Sequence, residues 1–136
     1  MNRIDFQQLS ELRLREAKAL LNAGFPDGEY YMAGYAVECA LKACIAKRTR
    51  EHDFPEKESQ GYYVHDLRKL LGSARLSVEL DQALQRDAAM EANWTIVVNW
   101  SEASRYLTKT AQEATDLIHA IEDPAGGILP WITQRW

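Results

Sequence analysis

The stretch from residue 29 to residue 50 is apolar on nearly every side of the helix it would form. Between its tyrosine and alanine ends only Glu38 and Lys42 are charged. At about 100° per residue a wide apolar arc forms, made of Tyr30, Ala33, Gly34, Val37, Ala40, Leu41, Cys44 and Ile45. The opposite side is also largely apolar, with Met32, Cys39, Ala43 and Ala46. Such a helix is buried nearly all round. We therefore expect it to be central, or to place its second face against another subunit.

The second of these alternatives predicts a homodimer, and the small size of the chain favours it. With 136 residues, we expect one domain over residues 1–136, and a chain this short has little material to cover both faces of one helix. Gly34 lies inside the predicted helix, where glycine destabilises a helix by about 1 kcal/mol relative to alanine. Its presence there indicates a packing reason for the small residue.

Composition narrows the possible function classes. The chain is 46% hydrophobic and 26% charged, which excludes wholesale disorder. Its net charge of −4 is unsuited to coating nucleic acid, which needs many Lys and Arg contacts. No apolar run approaches the ~20 residues that span a bilayer. Charges come early at the N-terminus, without an apolar signal core, so we expect a cytoplasmic protein.

Helical periodicity continues along most of the chain. We expect further helices over residues 3–23, 65–73, 77–93 and 101–122, capped in the last two cases by Ser77 and Ser101. Residues 51–64 read as a long polar loop, and residues 94–100, rich in β-branched side chains, as an extended connector. All four tryptophans lie in the last third of the chain, and the tail is apolar. The predicted fold is all-α, an antiparallel up-and-down bundle of four or five helices with an ordered Trp-rich C-terminal tail.

Four short motifs, in order, resemble those of HEPN domains. The segment Gly34–Ala43, GYAVECALKA, is similar to the second-helix signature of that family. His65-Asp66-Leu67 resembles its H-(S/D)-L element at the third helix, and Ser104-Arg105-Tyr106 resembles its R-Y element near the fourth. The tail Gly126–Ile132 resembles that of small bacterial members. The matches span about residues 12–136.

The resemblance implies a helical bundle that is usually a homodimer. Many members are RNases of toxin–antitoxin or defence systems, and others partner small nucleotidyltransferases. The RNases carry R-x(4–6)-H on the fourth helix. Here the next histidine after Arg105 is His119, 14 positions on, or roughly 21 Å along a single helix. No segment of this chain satisfies the motif, so the resemblance does not carry RNase activity over, and no catalytic residue is assigned.

Six residues are candidates for binding. Glu38 and Lys42 are an i, i+4 pair, either a structural ion pair at the edge of the core or a pair that polarises a pocket or sets dimer register. His65 and Asp66 stand at a helix start, where either could be a cap. Alternatively, they form a polar site with Glu38, because acid–base chemistry favours a histidine beside a carboxylate.

Arg105 and Tyr106 are the candidates for contacting a nucleotide. A guanidinium suits phosphate, and a tyrosine ring can stack on a base. The alternative is that Arg105 pairs with Glu102 or with a neighbouring helix, while Tyr106 packs at the edge of the last helix's apolar stripe.

Metal and cofactor chemistry have little support. Cys39 and Cys44 diverge around a helix, and the three histidines are scattered, so we expect no metal site. The phosphate-binding and hydrolase motifs built on glycine are absent, so we expect no cofactor. The leading hypothesis is a dimeric module that binds a nucleotide, an RNA or a protein partner, for example a nucleotidyltransferase of a toxin–antitoxin or defence system. The alternatives are an RNase toxin using His65, Arg105 and Tyr106, and a structural subunit with no small ligand.

Overall fold

The computed structural model describes residues 1–48 and 64–136, and all regular structure in these two ranges is helical. The α-helices are α1 Arg3–Asn22, α2 Pro26–Arg48, α3 Leu67–Ser73, α4 Ser77–Arg86, α5 Ala88–Val98, α6 Ala111–Glu122 and α7 Ile128–Thr133. A 3₁₀ helix, Glu102–Tyr106, hereafter the 3₁₀ turn, lies between α5 and α6. The predicted all-α helical bundle is confirmed. The predicted polar loop falls outside the described residues, except for its last residue, Val64.

Helix α2 lies at the centre of the bundle and is buried on both faces by its own chain. It contacts α1, α3, α6, α7 and the 3₁₀ turn. On the side that was expected to need a second subunit, Cys39 and Ala43 are buried and Met32 is half-buried. The central position is therefore the alternative that the structure shows. The expectation that one chain is too small to cover this helix was wrong, and burial of α2 gives no reason for a dimer.

Helices α1 and α2 form an antiparallel hairpin. The Ser10 hydroxyl donates a 2.7 Å hydrogen bond to the Ala36 carbonyl oxygen near the middle of the two helices. Close to the connecting turn, Leu20 lies against Gly28. The connecting turn uses Gly24 at φ 87°, a left-handed conformation that glycine adopts without strain.

The predicted helix over residues 77–93 is divided in two. It ends at Arg86, and the Asp87 carboxylate then caps α5 by accepting hydrogen bonds from the backbone N–H groups of Ala89 and Met90. The N-cap of α4 is Leu76 rather than the predicted Ser77, and it makes no side-chain hydrogen bond.

The extended connector predicted over residues 94–100 was wrong, because α5 continues as a helix to Val98. Trp94 and Val97 are buried in the core cluster. Burial of an apolar helix face outweighs the weak intrinsic preference of β-branched residues for strands.

The last long helix begins at residue 111 and not after Ser101. Its N-cap is Thr110, whose hydroxyl accepts from the Glu113 N–H while the Glu113 carboxylate accepts from the Thr110 N–H, a complete capping box. Ser101 instead precedes the 3₁₀ turn and makes no capping hydrogen bond. Arg105 and Tyr106 consequently lie outside α6.

The ordered C-terminal tail is confirmed. Helix α7 buries Ile128, Leu129 and Ile132 against the core. Arg3 at the other end of the chain donates a 2.6 Å hydrogen bond to the carbonyl oxygen of Trp136. The two termini are thereby held together across the bundle.

Candidate functional site

A buried carboxylate on α2, that of Glu38, anchors a polar network. Lys42 Nζ donates to Glu38 Oε1 at 2.8 Å, and His65 Nδ1 lies 2.8 Å from the same oxygen. Glu38 is fully buried, and Lys42 nearly so. The ion pair expected from the i, i+4 spacing is therefore present, and the structure also brings His65 onto it from a different part of the chain.

His65 joins this buried pair to the surface. Its Nε2 lies 3.4 Å from Glu102 Oε2, and Glu102 Oε1 lies 3.4 Å from Arg105 Nη1. Lys42, Glu38, His65, Glu102 and Arg105 thus form one chain of alternating basic and acidic groups, running from the core to the exterior. The 3₁₀ turn places Glu102 and Arg105 on the same side because they are three residues apart, one turn of that helix.

The same network borders an open cleft of about 300 Å³. One wall is the chain entering α3, and the other is the segment running from the end of α5 into the 3₁₀ turn. The lining residues are His65, Asp66, Leu67, Arg68, Val98, Trp100, Ser101, Glu102 and Ala103. A cleft of this size is at the lower end of the range for small-molecule sites.

The indole of Trp100 forms an apolar wall of the cleft and is seated on α2. It stacks on Tyr31 with ring centroids 6.2 Å apart, and Tyr31 stacks on Tyr35 at 6.1 Å. A Cβ at Gly34 would lie 2.2 Å from the indole ring, so only glycine leaves room for it. The packing reason expected for Gly34 is this close approach of Trp100.

Three buried polar atoms beside the cleft have no hydrogen-bond partner among the described residues. They are Glu38 Oε2, Trp100 Nε1 and Ser104 Oγ. Buried polar atoms in folded proteins are almost always paired, and each unpaired one carries a desolvation cost.

Arg105 and Tyr106 lie on the outer edge of the site. The Arg105 guanidinium stands over the Tyr106 ring at 4.8 Å. The phenolic oxygen of Tyr106, followed by the Glu102 carboxylate and the Tyr31 hydroxyl, raises the pKa of Arg105 above its usual range. The pairing of Arg105 with Glu102 is confirmed, but Tyr106 is 77% exposed. Its expected packing against the stripe of the last helix was wrong, because that helix does not include it.

Asp66 is the N-cap of α3. Its carboxylate accepts a 3.0 Å hydrogen bond from the Lys69 N–H. The capping role expected for His65 or Asp66 therefore belongs to Asp66, which frees the His65 ring to face Glu38 and Glu102.

Three contributors to the site were not singled out from the sequence as site residues. Trp100 falls in the predicted extended connector, and no role is predicted from the sequence for Tyr31 or Arg68. The only sequence signal was Gly34, a costly glycine inside a helix, but it does not identify the side chain that fills the space above it. For Glu102 the sequence predicts only a pairing with Arg105.

The two cysteines are unreactive core residues. Burial raises the pKa of the Cys39 thiol to about 12 and that of Cys44 to about 11, so both stay protonated at neutral pH. Across residues 1–48 and 64–136, no three His, Cys, Asp or Glu side chains converge to hold a metal ion. His65 illustrates this, since its two nitrogens face carboxylates on opposite sides of the ring.

The helical bundle and the motifs around α2 and α3 are those of a known family. The HEPN domain family matches residues 7–123, most of the chain, and this protein belongs to that family. The match runs from within α1 to the end of α6 and includes every residue of the network and the cleft. Neither a curated protein nor a solved structure shows significant similarity to the chain. None of the helices in the described ranges combines the length and apolarity that crossing a membrane requires.

Proposed function

We propose that this protein is a HEPN module that binds a nucleotide, or a nucleotide at the end of an RNA, in the cleft beside His65. The observation that carries the proposal is that His65 and Arg68 line one cleft, with Arg105 joined to His65 through Glu102. Guanidinium groups are suited to phosphate, and aromatic rings stack on bases. The exposed Tyr106, beside the Arg105 guanidinium, provides such a ring, whereas the buried Trp100 shapes the wall of the cleft.

The charge of the site favours a small ligand over a long nucleic acid. Glu102 and Asp66 lie among the basic groups, and the whole chain has a net charge of −4. A polynucleotide would need many phosphate contacts along a basic surface. A single terminal nucleotide needs only the few groups that the cleft provides.

Calorimetric titration tests the proposal. Nucleoside 5′-monophosphates and short RNAs are titrated into the wild-type protein and into Arg105→Ala and Tyr106→Ala. We expect binding that both substitutions weaken, Arg105→Ala through the phosphate and Tyr106→Ala through the base. Arg15→Ala, which removes an exposed arginine on α1 away from the cleft lining, is the matched control. No heat of binding at millimolar ligand would contradict the proposal and favour a structural subunit.

We further propose that the protein acts as a homodimer with a protein partner, such as a small nucleotidyltransferase of a toxin–antitoxin or defence system. Family membership supports this proposal, since HEPN domains commonly dimerise. Light scattering measures the mass directly, and a stable particle near the chain mass of 15.5 kDa would contradict the dimer. Affinity capture from the native host, with the neighbouring gene product as the expected partner, tests the second part.

One contact favours a second candidate, an RNase with a non-standard site. His65 lies 2.8 Å from the buried Glu38 carboxylate, and a histidine positioned by a carboxylate is suited to general acid–base catalysis. Arg105, linked through Glu102, would then stabilise charge on the phosphate. This candidate predicts growth arrest and RNA cleavage on expression in bacteria, both abolished by His65→Ala and by Arg105→Ala. Harmless overexpression of the wild-type protein would contradict it.

A further inference from the structure

The Glu102 carboxylate lies between two potential phosphate-binding groups. One oxygen faces His65 Nε2 and the other faces Arg105 Nη1, each at 3.4 Å. An ion pair with good hydrogen-bond geometry would be shorter, about 2.7–2.9 Å between nitrogen and oxygen. The carboxylate therefore occupies the space between the two groups without binding either of them tightly.

Among the described residues, Glu102 forms ion pairs only with the two groups that it lies between, whereas each of those groups has a further contact of its own. Glu102 starts a five-residue 3₁₀ turn whose N-cap makes no side-chain hydrogen bond. His65 is fixed from its other side by the buried Glu38, and Arg105 rests on the ring of Tyr106. If Glu102 swings outward, the imidazole and the guanidinium keep their places and face one another across an opening.

We infer that Glu102 is an internal competitor that occupies the phosphate position of the proposed binding site. The inference rests on the proposed function and specifies its ligand chemistry. The group that replaces Glu102 is the anionic phosphate of a nucleoside monophosphate, whose several oxygens can bridge His65 and Arg105. Because the phosphate must displace the carboxylate, the affinity for this anion depends on how easily the Glu102 side chain moves out of the phosphate position.

The charges around His65 support this assignment. Lys42 neutralises Glu38 on α2, while Asp66 and Arg68 at the start of α3 have opposite signs. Glu102 is then the acidic group that offsets Arg105 on the 3₁₀ turn. With Glu102 present, an incoming phosphate meets a like charge at the position it would occupy. Without it, the cleft has an excess positive charge at that point.

The experiment compares the affinity of AMP for the wild-type protein and for Glu102→Gln by calorimetry. We expect Glu102→Gln to bind AMP about tenfold more tightly, because a like charge is removed from the phosphate position. Uncharged adenosine should bind both proteins equally. Asp81→Asn, which removes one exposed carboxylate on α4 away from the cleft, should leave AMP affinity at the wild-type value.

If Glu102 instead positions His65 and Arg105, Glu102→Gln should weaken AMP binding. Unchanged or weaker AMP binding by Glu102→Gln therefore overturns the inference. AMP binding by the wild-type protein would in that case still support the proposed function. Absence of AMP binding by every variant overturns both. Glu102→Ala serves as a second variant if Glu102→Gln melts abnormally, and the same gain is expected. In His65→Gln/Glu102→Gln the gain should be lost, and persistence of the gain would contradict the assignment of the phosphate to His65.

Discussion

The indole of Trp100 lies directly on the backbone of Gly34, where a Cβ atom would be 2.2 Å from ring atoms. This contact connects the central helix to the wall of the cleft. Both residues are buried, and Trp100 also stacks on Tyr31. The position of the cleft wall therefore depends on Gly34 of α2 having no side chain.

Substitution of this glycine should destabilise the protein even though alanine is the better helix former. For Gly34→Ala we expect a loss of about 1–3 kcal/mol, because the ring must move and its packing is strained. Gly28→Ala is the matched control on the same helix. There the new methyl would meet only the flexible end of Leu20 at 3.2 Å. Urea unfolding followed by tryptophan fluorescence measures both, and equal effects of the two substitutions would contradict the argument.

Glu29 should make stability fall as pH rises. It is fully buried in the first turns of α2, and neither carboxylate oxygen has a hydrogen-bond partner among the described residues. Burial raises its pKa from 4.5 to about 8. The folded state therefore holds a proton that the unfolded chain has released. The contribution of protonated Glu29 to the free energy of unfolding is fully present below pH 4.5. It is lost between pH 4.5 and about pH 8, by up to about 1.4 kcal/mol per pH unit.

Glu29→Gln removes this ionisation, and thermal melts from pH 5 to pH 9 should show a flatter profile for the variant than for the wild type. The variant should gain relative to the wild type at pH 9. Glu11→Gln, at an exposed position on α1, should keep the wild-type slope. Parallel profiles for the wild type and Glu29→Gln would show that Glu29 is not protonated in the folded state.

The buried pair Glu38 and Lys42 should show strong coupling. Glu38→Met leaves the Lys42 ammonium without its partner in a nearly closed environment, and we expect a loss of about 3–5 kcal/mol. The double variant Glu38→Met/Lys42→Met should be more stable than Glu38→Met, because no uncompensated charge remains. Denaturant unfolding of the two single variants and the double variant measures the coupling. Strictly additive losses would contradict a direct buried ion pair.

Two hydroxyl residues distinguish the observed start of the last long helix from the predicted one. Thr110→Ala removes the hydroxyl half of the capping box, and we expect it to cost about 1 kcal/mol. Ser101→Ala should be nearly neutral, since its side chain makes no capping hydrogen bond. Chemical unfolding measures the stability of both variants. A larger loss of stability for Ser101→Ala than for Thr110→Ala would contradict a helix start at Thr110.

Features that depend on a single helix were predictable from the sequence. The apolar pattern of α2 predicted its burial, and the i, i+4 spacing predicted the contact between Glu38 and Lys42, because helix geometry alone brings such residues together. The order of the four motifs identified the family. Helix α1 and the start of α3 were also placed within a few residues.

Tertiary packing decided what local patterns leave open. Whether its own chain or a second copy covers α2 depends on how the other helices fit around it, and the same packing turns the β-branched run before Trp100 into a helix. His65 meets Glu38 across 27 residues of chain, and Glu102 reaches His65 because the 3₁₀ turn packs against α2. Periodicity reports which face of an element is buried, whereas a site made from several elements is determined by the free energy of packing them together.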